Sequence, residues 1–285
     1  MRSFRSAGFA AVGLCALAVV PHTVLAAGSC AFGPSSGSEV SLQGVFNDMF
    51  GSGAAPNTVT DCLADPGDSL WHTESSVGSA TILVEIAGNA NGNTLGIYDS
   101  TSTLNSLEIF SGPAGASSRA FITVSGAPGA YHVQVDRFSG SSFVGSVSSV
   151  FASSSFGFYL QQPSSAGGDR FYSESFRNAG RNGDPNAKDY MYSYMGNGAT
   201  FLNGSTYAPA MVKGTSFDSS DALIAWEDLR SASDGDYQDM VVLLRDIVPS
   251  TVPTVPLPAA AWLFGSALAG LGVFGRRRRS MTAAA

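Results

Sequence analysis

Short apolar runs, cut at nearly regular intervals by turn-forming residues, set the fold class of this chain. Thr81–Ile86, Thr94–Tyr98, Leu104–Phe110, Ala120–Val124 and Tyr131–Val135 are such runs, rich in β-branched and aromatic residues. Between them stand Gly88-Asn-Ala-Asn-Gly92, Ser111-Gly-Pro113 and Gly126-Ala-Pro-Gly129. A period of two sends successive side chains to opposite faces of a strand, while Gly, Asn and Pro supply the reversals. Strand starts recur roughly every 10–16 residues, the rhythm of an all-β sandwich or barrel.

A second series comprises Phe156–Leu160, Arg170–Tyr172, Tyr190–Tyr194, Ala222–Trp226 and Met240–Leu244. Between the two series lies Ser139–Ser155, rich in Ser and Gly with Phe143, Val147 and Phe151 interspersed. It reads equally as a linker and as a Ser-rich strand pair. No internal repeat and no convincing helical period is found between the termini. The expected architecture is therefore all-β, sandwich or jelly-roll-like. It reads as one continuous unit with a break near Ser153, its parts being 28–155 and 156–248.

The termini follow a different logic. Arg2 and Arg5 precede an apolar core from Phe9 to Val20, and Val24-Leu25-Ala26 offers small residues before a cut, so 1–27 reads as a secretory signal peptide. At the other end, 249–258 is an extended Pro-rich stalk leading into Val255, Pro256, Leu257, Pro258 and Ala259. No charge occurs from Ala259 to Phe274, a stretch of about 24 Å as a helix against a bilayer core of about 30 Å. Arg276, Arg277, Arg278 and Arg279 then act as a stop-transfer signal that stays in the cytoplasm. The segment 259–279 is thus expected to be a transmembrane sorting helix, with everything before Val255 across the membrane.

This tail resembles the PEP-CTERM class of bacterial sorting signals, in the variant with the Val-Pro-Leu-Pro-Ala motif. The resemblance covers about the last 30 residues and rests on three ordered elements: motif, apolar span and arginine run. It implies recognition by an exosortase, a membrane-embedded protease-transpeptidase. The protein would pass through the inner membrane and then reach the cell surface or the exopolysaccharide matrix. An ordinary uncut single-pass anchor is the other reading.

Removing both signals changes the charge. Six of the 15 basic residues belong to them, and all 22 acids lie between them, so the exported part carries nine bases against 22 acids, a net −13. Such a surface argues against nucleic acid and anionic lipid as partners and suits divalent cations. Of three cysteines, Cys15 leaves with the leader. Cys30 and Cys62 remain as an even pair in an oxidising compartment, readable as a disulfide or as two free thiols. A bridge would stabilise by roughly 3–4 kcal/mol on the chain-entropy account.

The densest chemistry lies between two strand-like runs. Glu227, Asp228, Asp234, Asp236 and Asp239 fall within 13 residues, with a turn at Ser233-Asp234-Gly235. A hairpin bringing them together would leave strong repulsion unless a cation sat among them, and several carboxylates with loop carbonyls suit Ca2+. The spacing is not that of an EF-hand: counting from Asp234, Asp239 takes the place of the required glycine and Arg245 that of the bidentate acid. A solvated acidic turn, its Asp residues capping backbone N–H groups, is the alternative.

Phe156–Leu160, Phe171-Tyr-Ser173, Tyr190–Tyr194, Trp226-Glu-Asp-Leu229 and Asp234-Gly-Asp-Tyr-Gln-Asp239 together resemble the domain-of-unknown-function 4114 family of bacterial surface proteins. Trp226 stands where that family often has Phe, and Gln238 where it often has Asn. The resemblance covers roughly Phe156–Ile247 and implies a β-rich extracellular module. It carries over no active site.

No catalytic constellation is legible. The exported part has only His72 and His132. Gly33-Pro-Ser35-Ser-Gly37 matches a nucleophile-elbow pattern without a strand before it or a helix after it. Gly270-Leu-Gly272-Val-Phe-Gly275 matches a dinucleotide fingerprint inside the apolar tail. The chain is therefore read as non-catalytic, a secreted hydrolase being the weakest alternative. Phe171, Tyr172, Phe176, Tyr190, Tyr192 and Tyr194 are dense enough to suggest carbohydrate contact. Strand spacing, however, puts the last three on one face, as core residues.

Overall fold

The computed structural model describes residues 30–32, 39–63, 65–85, 92–180, 188–198, 200–204, 206–229 and 235–250. The expected signal peptide, the Gly33–Gly37 match, Asp234, most of the expected stalk with Val255–Ala259, the expected transmembrane segment and the arginine run lie outside them. No helix among the described residues is long and apolar enough to cross a membrane.

The described chain is predominantly β, in two main antiparallel sheets. The larger has eight strands. In spatial order they are β1 (Cys62–Leu63), β11 (Met191–Met195), β14 (Asp221–Trp226), β15 (Met240–Arg245), β3 (Val77–Glu85), β6 (Ser118–Ala127), β7 (Ala130–Ser139) and β8 (Ser142–Phe151). The smaller runs β16 (Ile247–Pro249), β2 (Trp71–Thr73), β9 (Phe156–Gln161), β4 (Thr94–Asp99) and β5 (Ser102–Phe110), with β10 (Arg170–Tyr172) on β9. A two-stranded ribbon, β12 (Thr200–Phe201) and β13 (Ser216–Phe217), stands apart. Strands from either side of Ser155 interleave in both sheets: β3 lies between β15 and β6, and β9 lies beside β4. Ser139–Ser155 is no linker; most of it is β8, hydrogen-bonded along β7.

The inner faces of the two sheets enclose one core. Ile82, Ile122, Val135, Ile224, Trp226 and Val242 meet Trp71, Ile97, Ile109, Phe156 and Phe158 there. Alternation is clean on β6, where every second residue from Ser118 to Val124 is buried. It vanishes on β14, which is buried throughout because a second core covers its other face. That second layer includes a feature the strand rhythm misses, helix α1 (Leu42–Phe50). The Ser41 hydroxyl accepts from the Gly44 N–H as an N-cap, and Gly51 closes the helix at φ 86°. Leu42, Val45, Phe46, Met49 and Phe50 follow i, i+3, i+4, i+7, i+8 and are all buried against Tyr194, Leu223 and Leu243.

Cys30 and Cys62 form a disulfide. It ties the start of the described chain to β1 at the edge of the larger sheet. On the outside of the smaller sheet, Tyr159 lies across Gly96 and Tyr98 across Gly157, where any Cβ would meet the ring at 2.2 Å. Tyr98 also donates to Glu174 at 2.7 Å.

Candidate metal centre

Trp226 pairs with Met240 at one end of the sandwich, so the chain between them must leave and return at the same place. The Glu227 N–H donates to the Tyr190 carbonyl at 3.0 Å, which carries the strand direction one residue past Trp226. On the returning limb Tyr237 has φ 57°, a left-handed conformation uncommon for an aromatic residue. It is held there from two sides. Its ring stacks on Tyr192 at 4.1 Å, and its hydroxyl donates to the Asp189 carbonyl at 2.6 Å. This kink turns the backbone between Asp236 and Asp239.

The result is a compact acidic group. Carboxylate oxygens of Glu227, Asp236 and Asp239 lie within 4.8 Å of one another, and all three residues are buried. Two oxygens each about 2.4 Å from a common Ca2+ can be at most about 4.8 Å apart, so the spacing is compatible with one shared ion. Asp239 Oδ2 accepts from the Asp228 N–H at 2.7 Å, and Glu227 Oε1 accepts from the Leu229 N–H at 2.9 Å. Asp228 stands beside this group, its own carboxylate accepting from Asn93 Nδ2 at 2.6 Å. The structure thus brings together three of the five acids singled out in the sequence and places Asp228 next to them.

Three amides complete the surroundings, two of which, Asn93 and Gln162, the sequence does not flag. Asn93, Gln162 and Gln238 are 1%, 3% and 0% exposed. Each turns its NH2 toward the acidic loop. Asn93 donates to the Asp228 carboxylate, Gln162 to the Asp228 carbonyl, and Gln238 to Asp236 Oδ2 at 2.8 Å. A carboxylate or carbonyl can only accept, so each amide nitrogen is fixed in place. That leaves Asn93 Oδ1, Gln162 Oε1 and Gln238 Oε1 buried with no hydrogen-bond donor among the described residues. A buried acceptor without a donor costs about 1–3 kcal/mol.

The electrostatics point the same way. Burial first, then the charges of Asp228, Glu227 and Asp236, push the Asp239 carboxyl up to about 9. Either a proton or a cation can relieve such a group, but a proton supplies one donor, whereas a cation serves several oxygens at once. The oxygens are carboxylate and amide, without His or Cys, a set that suits hard cations.

A second acidic group lies nearby and escapes sequence reading entirely. Asp65, Asp68 and Asp189 come from the segment before β2 and the residues before β11. Asp68 is fully buried and accepts from the Ser193 hydroxyl at 3.2 Å. The Asp65 N–H donates to Asp189 at 3.4 Å, and the Ser175 N–H to Asp65 at 2.6 Å. Burial is the main cause that raises all three carboxyls, and the charges of Asp189 and Asp65 add to it at Asp68.

The aromatic group divides between the cores. Strand β11 begins at Met191, so Tyr190 lies before the alternation and faces the inter-sheet core, while Tyr192 and Tyr194 face the α1 side. Phe171 and Tyr172 are also buried, leaving Phe176 as the exposed member. His72 is half-buried on β2 with its ring nitrogen 3.3 Å from the Ser250 hydroxyl, and His132 is exposed on β7. No known protein family, curated protein or solved structure matches this chain.

Proposed function

We propose that this is an exported bacterial protein, sorted by its C-terminal tail to the cell surface or the exopolysaccharide matrix. There a calcium-held, jelly-roll-like β-sandwich module serves a structural or adhesive role. The signal peptide, the Val255–Ala259 motif, the apolar transmembrane segment and the Arg276–Arg279 run support export and handling by an exosortase. Likeness to the domain-of-unknown-function 4114 family supports an extracellular module.

The observation that carries calcium is the convergence of three buried carboxylates within 4.8 Å of one another, beside buried amides whose oxygens lack donors. Glu227, Asp236 and Asp239 would hold the ion, with Gln238, Gln162 and Asn93 as the neutral oxygens around them. The cation would supply charge neutralisation. It would also join three loops at one end of the sandwich: 227–239, the chain before β4, and the chain after β9. The described chain ends beside β2, where the Ser250 N–H donates to the Leu70 carbonyl and Pro249 pairs with Trp71.

Terbium substituting for calcium tests the centre directly, because Trp226 and Tyr237 adjoin the ligands and sensitise its luminescence. The exported portion, residues 28–250, is expected to give saturable emission that calcium displaces. Glu227→Gln and Asp236→Asn are expected to lower the affinity at least tenfold. Emission unchanged in both variants would reject the centre. Sorting has a separate readout: the full chain is expected outside the inner-membrane fraction, and replacement of Arg276–Arg279 by Ser is expected to abolish that release. Full-length protein found solely in the inner membrane would reject it.

A further inference from the structure

We infer that β8 is a self-association edge, on which a second copy of this chain pairs antiparallel about a two-fold axis through Val147. Strand β8 ends the larger sheet, with β7 on one side and no strand on the other. The Val150 carbonyl accepts from the Asn105 side chain of β5 at 2.6 Å, so it points away from β7. By alternation Ser146 and Ser148 also direct their backbone groups outward. Neither has a partner for them among the described residues. An edge with these groups open is a template for another strand.

Apart from the bulge at Val144, the edge lacks the usual protection. No Lys, Pro or other interrupting residue occurs in Ser142–Phe151, and no charge falls anywhere between Arg137 and Asp169. Phe143, Val144 and Val150 are 61%, 65% and 55% exposed, and Leu104 on the adjoining β5 is 96% exposed. In a chain of net charge −7, this neutral margin is where two like-charged copies approach with least repulsion.

The sequence of the edge identifies the occupant. Phe143-Val-Gly-Ser-Val147-Ser-Ser-Val-Phe151 reads the same in both directions except that Gly145 answers Ser149. Antiparallel pairing of a strand with its own copy sets each residue against its mirror position. With the axis at Val147, Ser146 faces Ser148 of the second copy, and exposed Val144 faces exposed Val150. Ser146 and Ser148 then exchange main-chain hydrogen bonds across the axis, an isologous contact. The bulge opposite Arg137 limits the regular ladder to Gly145–Ser149, with the two valines flanking it. The Asn105 amide at Val150 is a side-chain substitute that an incoming N–H displaces.

The test uses the full-length chain in detergent micelles. Sedimentation is expected to show a concentration-dependent dimer. Ser146→Pro is expected to weaken it at least tenfold while leaving the fold intact, because the lost N–H points away from β7. Opposed residues in a hydrogen-bonded pair lie about 5.5 Å apart at Cα, within disulfide reach. Ser146→Cys combined with Ser148→Cys should therefore link two chains on oxidation. With Cys15 replaced by Ser in every chain, each single variant should link only when mixed with the other, and the parent not at all. A monomer at every concentration would overturn the inference. So would a dimer that Ser146→Pro does not weaken and the cysteine pair does not link, since that points to association through the tail.

Discussion

Calcium in thousandfold excess over its dissociation constant is expected to stabilise residues 28–250 by about 4 kcal/mol, and chelation to remove that gain. For a unit of this size the corresponding rise in Tm is roughly 10 °C, at about 2–4 °C per kcal/mol. The apo protein carries the whole cost of three converging buried carboxylates, which is what makes the effect large. Asp236→Asn combined with Asp239→Asn separates a metal centre from a solvated turn. The amide at Asp239 can still accept from the Asp228 N–H, so the loop keeps its form, but two carboxyl groups are gone. That variant is expected to melt above chelated wild type, because repulsion is relieved, and to ignore calcium. A solvated turn predicts no calcium shift in either protein. The centre also has a pH signature: calcium must displace the proton that burial and neighbouring acids hold on Asp239. Affinity is therefore expected to rise with pH up to about 9 and to level off beyond it.

Much of the fold was readable because strand residues declare themselves by period. Ala120–Val124, Phe156–Leu160 and Met240–Leu244 fall inside β6, β9 and β15. Helix α1 was readable in principle. Its apolar stripe and Ser41 cap are local signals, but nine residues of helix are easily absorbed by a strand rhythm that dominates elsewhere. Strands of two or three residues, such as β1, β2 and β16, are too short to show a period and exist because a longer neighbour offers them an edge.

The candidate site divides in the same way. Glu227, Asp236 and Asp239 are close in sequence, and one hairpin brings them together. Asn93 and Gln162 are 135 and 66 residues from Asp228, uncharged, and unremarkable until the two sheets pack. The left-handed backbone of Tyr237 could not be read either, since it is imposed by stacking on Tyr192 and by the Asp189 carbonyl rather than by local preference. Asp65 and Asp189 are 124 residues apart, and nothing in their own surroundings marks them as a pair.

That second acidic group carries the other large effect: stability that falls as pH rises. An Asp carboxyl in an unfolded chain titrates near 3.9, whereas in the folded protein Asp189 is held up to about 8 and Asp68 well above its ordinary range. Between these limits the folded state keeps protons that the unfolded state has released. The slope of unfolding free energy against pH is therefore negative. The stabilisation is fully present below about pH 4 and is lost as pH rises through about 8. Its size is on the order of 3–4 kcal/mol, less than the full shift converts to, because Asp189 keeps some contact with water. Asp68→Asn isolates the contribution, since the amide resembles the protonated acid and can still accept from the Ser193 hydroxyl. The difference in stability between Asp68→Asn and wild type, measured by urea unfolding at each pH, cancels whatever the metal centre adds to both. That difference is expected to favour the variant at pH 8 and to shrink toward zero at pH 5. Parallel stability curves would mean that Asp68 is solvated or neutralised in the folded protein, and that Asp65, Asp68 and Asp189 share no proton.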